Sequence, residues 1–150
     1  MNLTNKESEM IKALMQCTPD FIYFKDLNGK YVSVSNTCAV YLNSTISDMI
    51  GKSDMDFLPR ETAEALLLED KNIIETGEAV KDKIEKRVSP DGPEIWISVT
   101  KAPWKDSTGQ IVGIIGVCRE VTERIEREKH ILDMLSIATH DIRGPLSSIG

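Results

Sequence analysis

Apolar positions along the chain change their period several times, and each change marks an element. Thr4, followed three residues later by Glu7, opens a segment in which Met10, Ile11, Leu14 and Met15 fall on one helical face. This predicts a first helix that begins with a capping box and stops at Thr18-Pro19-Asp20. Phe21-Ile22-Tyr23-Phe24-Lys25 then reads as a short strand, because aromatic and β-branched side chains suit a pleated, half-buried surface. Asp26-Leu27-Asn28-Gly29 is a turn, and residues 31–35 return as a second strand, apolar side chains alternating about Ser33.

From residue 36 the period is helical. Residues 36–42 predict a short helix capped by Asn36, residues 47–50 a single turn ended by Gly51, and residues 54–58 a third short piece. Pro59 is placed to open a longer helix, where its missing N–H costs nothing. Ala63, Ala65, Leu66, Leu67, Leu68, Ile73 and Ile74 form its body, and Gly77 stops it.

Three more strands follow. Residues 80–88 space Val80, Ile84 and Val88 among charges, as an edge strand does. After the turn Ser89-Pro90-Asp91-Gly92-Pro93 comes a long strand over 95–104, broken near Pro103. After Asp106-Ser107-Thr108-Gly109 comes the most apolar strand, 110–119, whose Gly113 and Gly116 predict a close backbone approach or a bulge. A hairpin, a helical cluster and a three-stranded meander make an α+β fold. From Val121 the pattern is helical to the end.

Composition narrows the classes. The 150 residues suffice for one ordinary domain, and 41% hydrophobic with 28% charged residues is normal for a soluble globular chain. The net charge of -6 argues against nucleic acid and anionic lipid as partners. Cys17, Cys38 and Cys118 are scattered and form no CxxC pair, so neither a metal site nor a disulfide framework is predicted, and isolated thiols suit the cytoplasm. The first residues hold no signal-peptide core, and no apolar run has the length of a membrane span. The helical pattern is still running at Gly150, as in an excerpt from a longer chain.

The order of elements over residues 20–124 resembles a PAS domain: five antiparallel strands with helices inserted between the second and third. The phrases Asp26-Leu27-Asn28-Gly29-Lys30-Tyr31, Asn36, Gly51-Lys52-Ser53-Asp54 with Phe57-Leu58-Pro59, Trp96, Lys101-Ala102-Pro103-Trp104-Lys105-Asp106 and Gly109-Gln110-Ile111-Val112-Gly113 carry the resemblance. Arg119-Glu120-Val121-Thr122-Glu123-Arg124 resembles the junction after such domains, with Glu120 where Asp is usual. The resemblance implies a sensor or a dimerisation module. Cysteine–flavin photochemistry is not expected, since Met55 stands near the position of the reactive cysteine. Histidine-ligated haem is not expected either: residues 59–76 contain no histidine, and Cys38 is more simply a small buried hydrophobe. A ligand pocket between sheet and helices would draw on Tyr23, Val34, Cys38, Tyr41, Phe57, Leu67, Trp96 and Ile114, although packed core explains the same residues without a ligand.

In the terminal helix, Leu132, Leu135, Thr139, Ile142, Leu146 and Ile149 recur at alternating three and four, an a/d seam with one polar member. Ile131, Met134, Ile137 and Ala138 widen it beyond a two-helix seam, as in a four-helix bundle. His140 falls at position b, facing outward. The run His140-Asp141-Ile142-Arg143-Gly144-Pro145-Leu146 resembles the phosphoacceptor box of sensor histidine kinases. That resemblance implies His140 as the phosphoacceptor and Asp141 as a supporting acid or base, with Gly144-Pro145 allowing a local bend. His130 reads as solvated.

The chain therefore divides into an N-terminal helix (1–17), a PAS sensor (18–120), a signalling helix (121–139) and the start of a phosphoacceptor box (140–150). The expected function is the sensory region of a two-component histidine kinase, working as a homodimer and passing its signal to His140. A response-regulator receiver would then be the kinase's partner. The sequence has no nucleotide-binding motif, so ATP would serve only a separate catalytic domain. The alternative is a ligand-free PAS module for dimerisation or docking.

Overall fold

The structure is a computed structural model and describes residues 4–88 and 93–149, with side chains to residue 140. The chain separates into two compact units, Met1–Glu120 and Val121–Gly150.

The first unit begins with α1 (Asn5–Cys17), whose N-cap Thr4 accepts a hydrogen bond from the Glu7 N–H at 3.1 Å. Only Met15 of its apolar face is buried, while Met10, Ile11 and Leu14 are exposed. Next come β1 (Phe21–Asp26), β2 (Tyr31–Val34), α2 (Asn36–Tyr41), α3 (Ile46–Met49), a 3-10 turn (Asp54–Asp56) and α4 (Arg60–Thr76). The meander is β3 (Val80–Val88), β4 (Glu94–Lys105) and β5 (Ile111–Glu120). All pairings are antiparallel in the order β2-β1-β5-β4-β3, so the apolar β5 is central and the charged β3 is an edge.

Several boundaries correct the sequence reading. Ser35, not Asn36, caps α2: its hydroxyl accepts from the Cys38 N–H at 3.3 Å and also donates to the Asp20 carbonyl. Pro59 stands at the N-cap of α4, one residue before its first turn, and Gly77 ends the helix in the left-handed region at φ 71°. Pro103 does not break β4. It pairs with Ile114 of β5, and the β4–β5 register shifts between Trp104 and Lys105. The predicted turn at 89–92 lies outside the described residues.

The second unit is one helix, α5 (Thr122–Ile149), whose backbone stays helical through Gly144 and Pro145. The side chains of residues 141–150, including Asp141 and the seam positions Ile142, Leu146 and Ile149, lie outside the described residues. No described helix is long and apolar enough to cross a membrane.

Candidate functional site

Strand alternation places the site. Every second residue of β1, β4 and β5 faces the helices: Phe21, Tyr23 and Lys25; Ile95, Ile97, Val99 and Lys101; Ile114 and Cys118. Two rows of apolar side chains therefore each end in a lysine. Lys25 is 2% exposed and Lys101 1%, far below what an ammonium tolerates alone.

Carboxylates from the helical layer compensate them. Lys25 Nζ donates to Asp54 Oδ2 at 2.5 Å and Asp70 Oδ2 at 2.9 Å; Lys101 Nζ donates to Asp70 Oδ1 at 3.0 Å. Asp54 comes from the 3-10 turn and Asp70 from α4, so the ion pairs tie both elements to the sheet. The Tyr31 hydroxyl donates to Asp54 Oδ1. The chain of charges continues through Lys101–Glu69 (2.8 Å), Glu69–Lys83 (2.8 Å), Lys83–Glu85 (3.0 Å) and Glu85–Arg87 (3.0 Å). It runs from the buried layer to edge strand β3. Burial works to lower the Lys25 pKa, but the charges and hydrogen bonds of Asp54 and Asp70 outweigh it and hold the ammonium above its ordinary value. Burial also raises the Glu69 carboxyl, yet hydrogen bonds from Lys101 and Lys83 prevail and keep it below its usual range. Burial, then the Asp54 charge, pushes the Tyr31 phenol up, so it stays a donor.

Above this floor lies a half-open cavity of about 70 Å3. Tyr23, Cys38 and Tyr41 line it, as the sequence proposed. So do Lys25, Tyr31, Asp54, Leu66, Arg87, Ile97 and Cys118, none of them proposed. The other candidates sit elsewhere. Val34 is fully buried among Tyr31, Cys38, Ala39 and Met49, with Phe57 packed against that cluster. Leu67 is half-buried on α4, near Gly29, and Ile114 is buried in β5, on the cavity-facing side of the strand but not in the lining. Trp96 is displaced for a plain reason: Ile95 and Ile97 face inward, so period two turns Trp96 outward, where Lys86 Nζ lies 5.5 Å from its ring. The missed charges left one signal. A lysine at the inward register of an otherwise apolar strand demands buried carboxylates.

Burial pushes the Cys38 thiol up to about 12 and the Cys118 thiol up to about 11, while Cys17 is exposed. At pH 8 a thiol with the Cys118 value is roughly one part in a thousand thiolate. Iodoacetamide at pH 8 is therefore expected to modify Cys17 alone in the folded protein and all three cysteines in denaturant, read by mass spectrometry. Rapid native modification of Cys38 or Cys118 would contradict this burial.

On α5, His140 is exposed, as are the seam residues Leu132 and Leu135. Arg127 pairs with Glu123 at 2.9 Å and Arg124 approaches Glu128 at 3.8 Å, both contacts at the i,i+4 spacing that makes neighbours on a helix surface.

The profile of the PAS fold family matches residues 17–126. Among curated proteins, the methanogenesis regulatory histidine kinase FilI of Methanothrix harundinacea is 26% identical over 112 residues, 75% of this chain and 12% of FilI. The aerobic respiration control sensor protein ArcB of Escherichia coli is 20% identical, covering 96% of this chain and 19% of ArcB. The chain thus spans under a fifth of the length of either relative. Among solved structures, VqmA bound to DPO shares 29% identity at a TM-score of 0.67, covering 75% of this chain and 57% of that one. A ligand–DNA complex of VqmA from Vibrio cholera is equally similar, at 29% identity and a TM-score of 0.68 over 80% of this chain and 52% of that one.

Proposed function

The chain belongs to the PAS fold family, and on that footing we propose that it is the sensory region of a histidine kinase, taking a small molecule in the cavity and relaying its presence to His140. The carrying observation is the path of β5. This strand contributes Cys118 to the cavity wall, and one residue, Val121, separates its end at Glu120 from the start of α5 at Thr122. Only that one residue lies between the two elements. Ligand-dependent movement of β5 would bias the packing of α5 against a second copy and so alter access to His140. Two kinase relatives and a ligand-bound structural relative support this reading. The imidazole of His140 is exposed on its helix, as a nucleophile toward the γ-phosphate of ATP must be.

Incubation with ATP and the ATP-binding domain of a histidine kinase in trans is expected to label the wild type. His140→Ala should lose at least about tenfold of that label. Equal labelling of both would remove His140 from the role.

The second reading, a PAS module for dimerisation alone, is favoured by the exposed Met10, Ile11 and Leu14 of α1. It predicts a dimer that no small molecule stabilises.

A further inference from the structure

We propose that the cavity selects small uncharged molecules carrying a hydrogen-bond donor beside an acceptor, such as an amide, a lactam or an N-heterocycle, and that Lys25 and Asp54 read that edge. This rests on the cavity being the sensory site. Three observations carry it.

The first is charge balance. Lys25 and Lys101 are matched by Asp54 and Asp70, and the continuation of the chain adds Lys83 and Arg87 against Glu69 and Glu85. Four cations face four anions, in successive pairs 2.5–3.0 Å apart. A charged ligand would have to share a counter-charge that is already paired, Arg87 in the wall included, so its desolvation would be poorly offset.

The second is spare hydrogen-bonding capacity at one point. An ammonium has three donors, and Lys25 commits two of them, to Asp54 and Asp70. The Asp54 oxygens each accept one hydrogen bond, from Tyr31 and from Lys25, and a carboxylate oxygen has a second lone pair. Lys25 and Asp54 both line the cavity, so the remaining N–H of one and the remaining lone pair of the other are the groups that the C=O and N–H of a single amide would meet there.

The third is shape. The Lys25 ammonium lies 5.1 Å from the Tyr23 ring centroid and 5.4 Å from that of Tyr31, and the two rings meet edge to face at 6.1 Å, so aromatic surface borders the Lys25 end of the cavity. A volume of about 70 Å3 holds only a few non-hydrogen atoms.

Acetamide, acetate and acetamidinium are nearly isosteric and differ in charge. Titrated into the protein and followed by amide NMR, acetamide is expected to shift Ile97 and Cys118 saturably, with at least tenfold tighter binding than either ion. Leu66→Trp, which fills the cavity, should abolish the shifts. The charge-balanced pair Lys25→Met with Asp54→Asn should lose the preference for acetamide while still admitting xenon. Equal binding of the ions, or xenon binding without acetamide binding, would overturn the proposed class and leave the cavity as a sensory site. Absence of both xenon and acetamide binding would overturn the cavity reading as well.

Discussion

Lys25→Met is expected to lower the unfolding free energy by about 3–5 kcal/mol, the cost of breaking a buried ion pair from one side. The methionine fits the volume, so the loss is electrostatic. Asp54 would keep only the Tyr31 hydroxyl, and Asp70 only Lys101, both carboxylates remaining nearly inaccessible to water. Denaturant unfolding should show a lower midpoint at an unchanged slope. Adding Asp54→Asn should restore part of the loss, because the pair as a unit contributes far less than either half does in the absence of the other. The contrast is Arg60–Glu64, an i,i+4 pair on the exposed face of α4, whose removal should change stability by under about 0.5 kcal/mol. The sign of the pH dependence follows from the raised Lys25 pKa. A cation whose pKa is higher when folded contributes fully below its unfolded value, about 10.4, and loses that contribution as pH rises through the folded value. The gap between wild type and Lys25→Met should therefore hold from neutral pH to about 9 and narrow only in strong alkali. A variant within 1 kcal/mol of wild type would show that water already screens the site.

This buried layer is also where sequence reading stops. The strands, the α+β order and the helical insertion were legible because they rest on local signals: period-two alternation in β4, turn residues at 26–29 and 106–109, and the left-handed Gly77 after α4. Tyr23, Cys38 and Tyr41 were found for the cavity because apolar alternation marks the inward face. Lys25 and Lys101 were overlooked because the same pattern reads a lysine at a strand end as solvated. Their partners, Asp54 and Asp70, are 29 and 45 residues from Lys25, and no local rule pairs them. Trp96, offered for the same pocket, is absent from its lining because strand parity turns it outward. Asn36 lost the cap to Ser35 because capping depends on which hydroxyl meets the first free N–H, a matter of one residue. The seam residues Leu132 and Leu135 of α5 are exposed, and their three-and-four spacing was legible because it is local.

Gly113→Ala should be comparably damaging, and for a purely steric reason. In β5, Gly113 stands opposite Asp26 and Ile114 opposite Lys25, so Gly113 lies beside the backbone of the buried lysine. A Cβ on Gly113 would overlap the carbonyl oxygen of Lys25 and lie 2.9 Å from the Trp104 ring. A backbone oxygen cannot rotate away. Gly113 has no positive φ, so alanine would otherwise gain about 0.4–1 kcal/mol by restricting the unfolded chain. Overpacking against backbone costs about 3 kcal/mol or more, and it decides the sign. Strand β1 must then separate from β5 at Lys25, which lengthens the ion pairs to Asp54 and Asp70. Gly116→Ala offers the control. Its Cβ would meet the Tyr23 ring, with Cε2 at 2.5 Å, and a ring can move where a carbonyl cannot. Gly116→Ala should therefore destabilise less, yet reshape the cavity, because Tyr23 lines it and meets Tyr31 edge-on at 6.1 Å. Thermal unfolding and acetamide titration of both variants separate the effects: a large Tm loss for Gly113→Ala, and a smaller loss with weakened binding for Gly116→Ala. The reverse order would mean that β1 yields more readily than the cavity wall, and that the buried charges do not hold it in place.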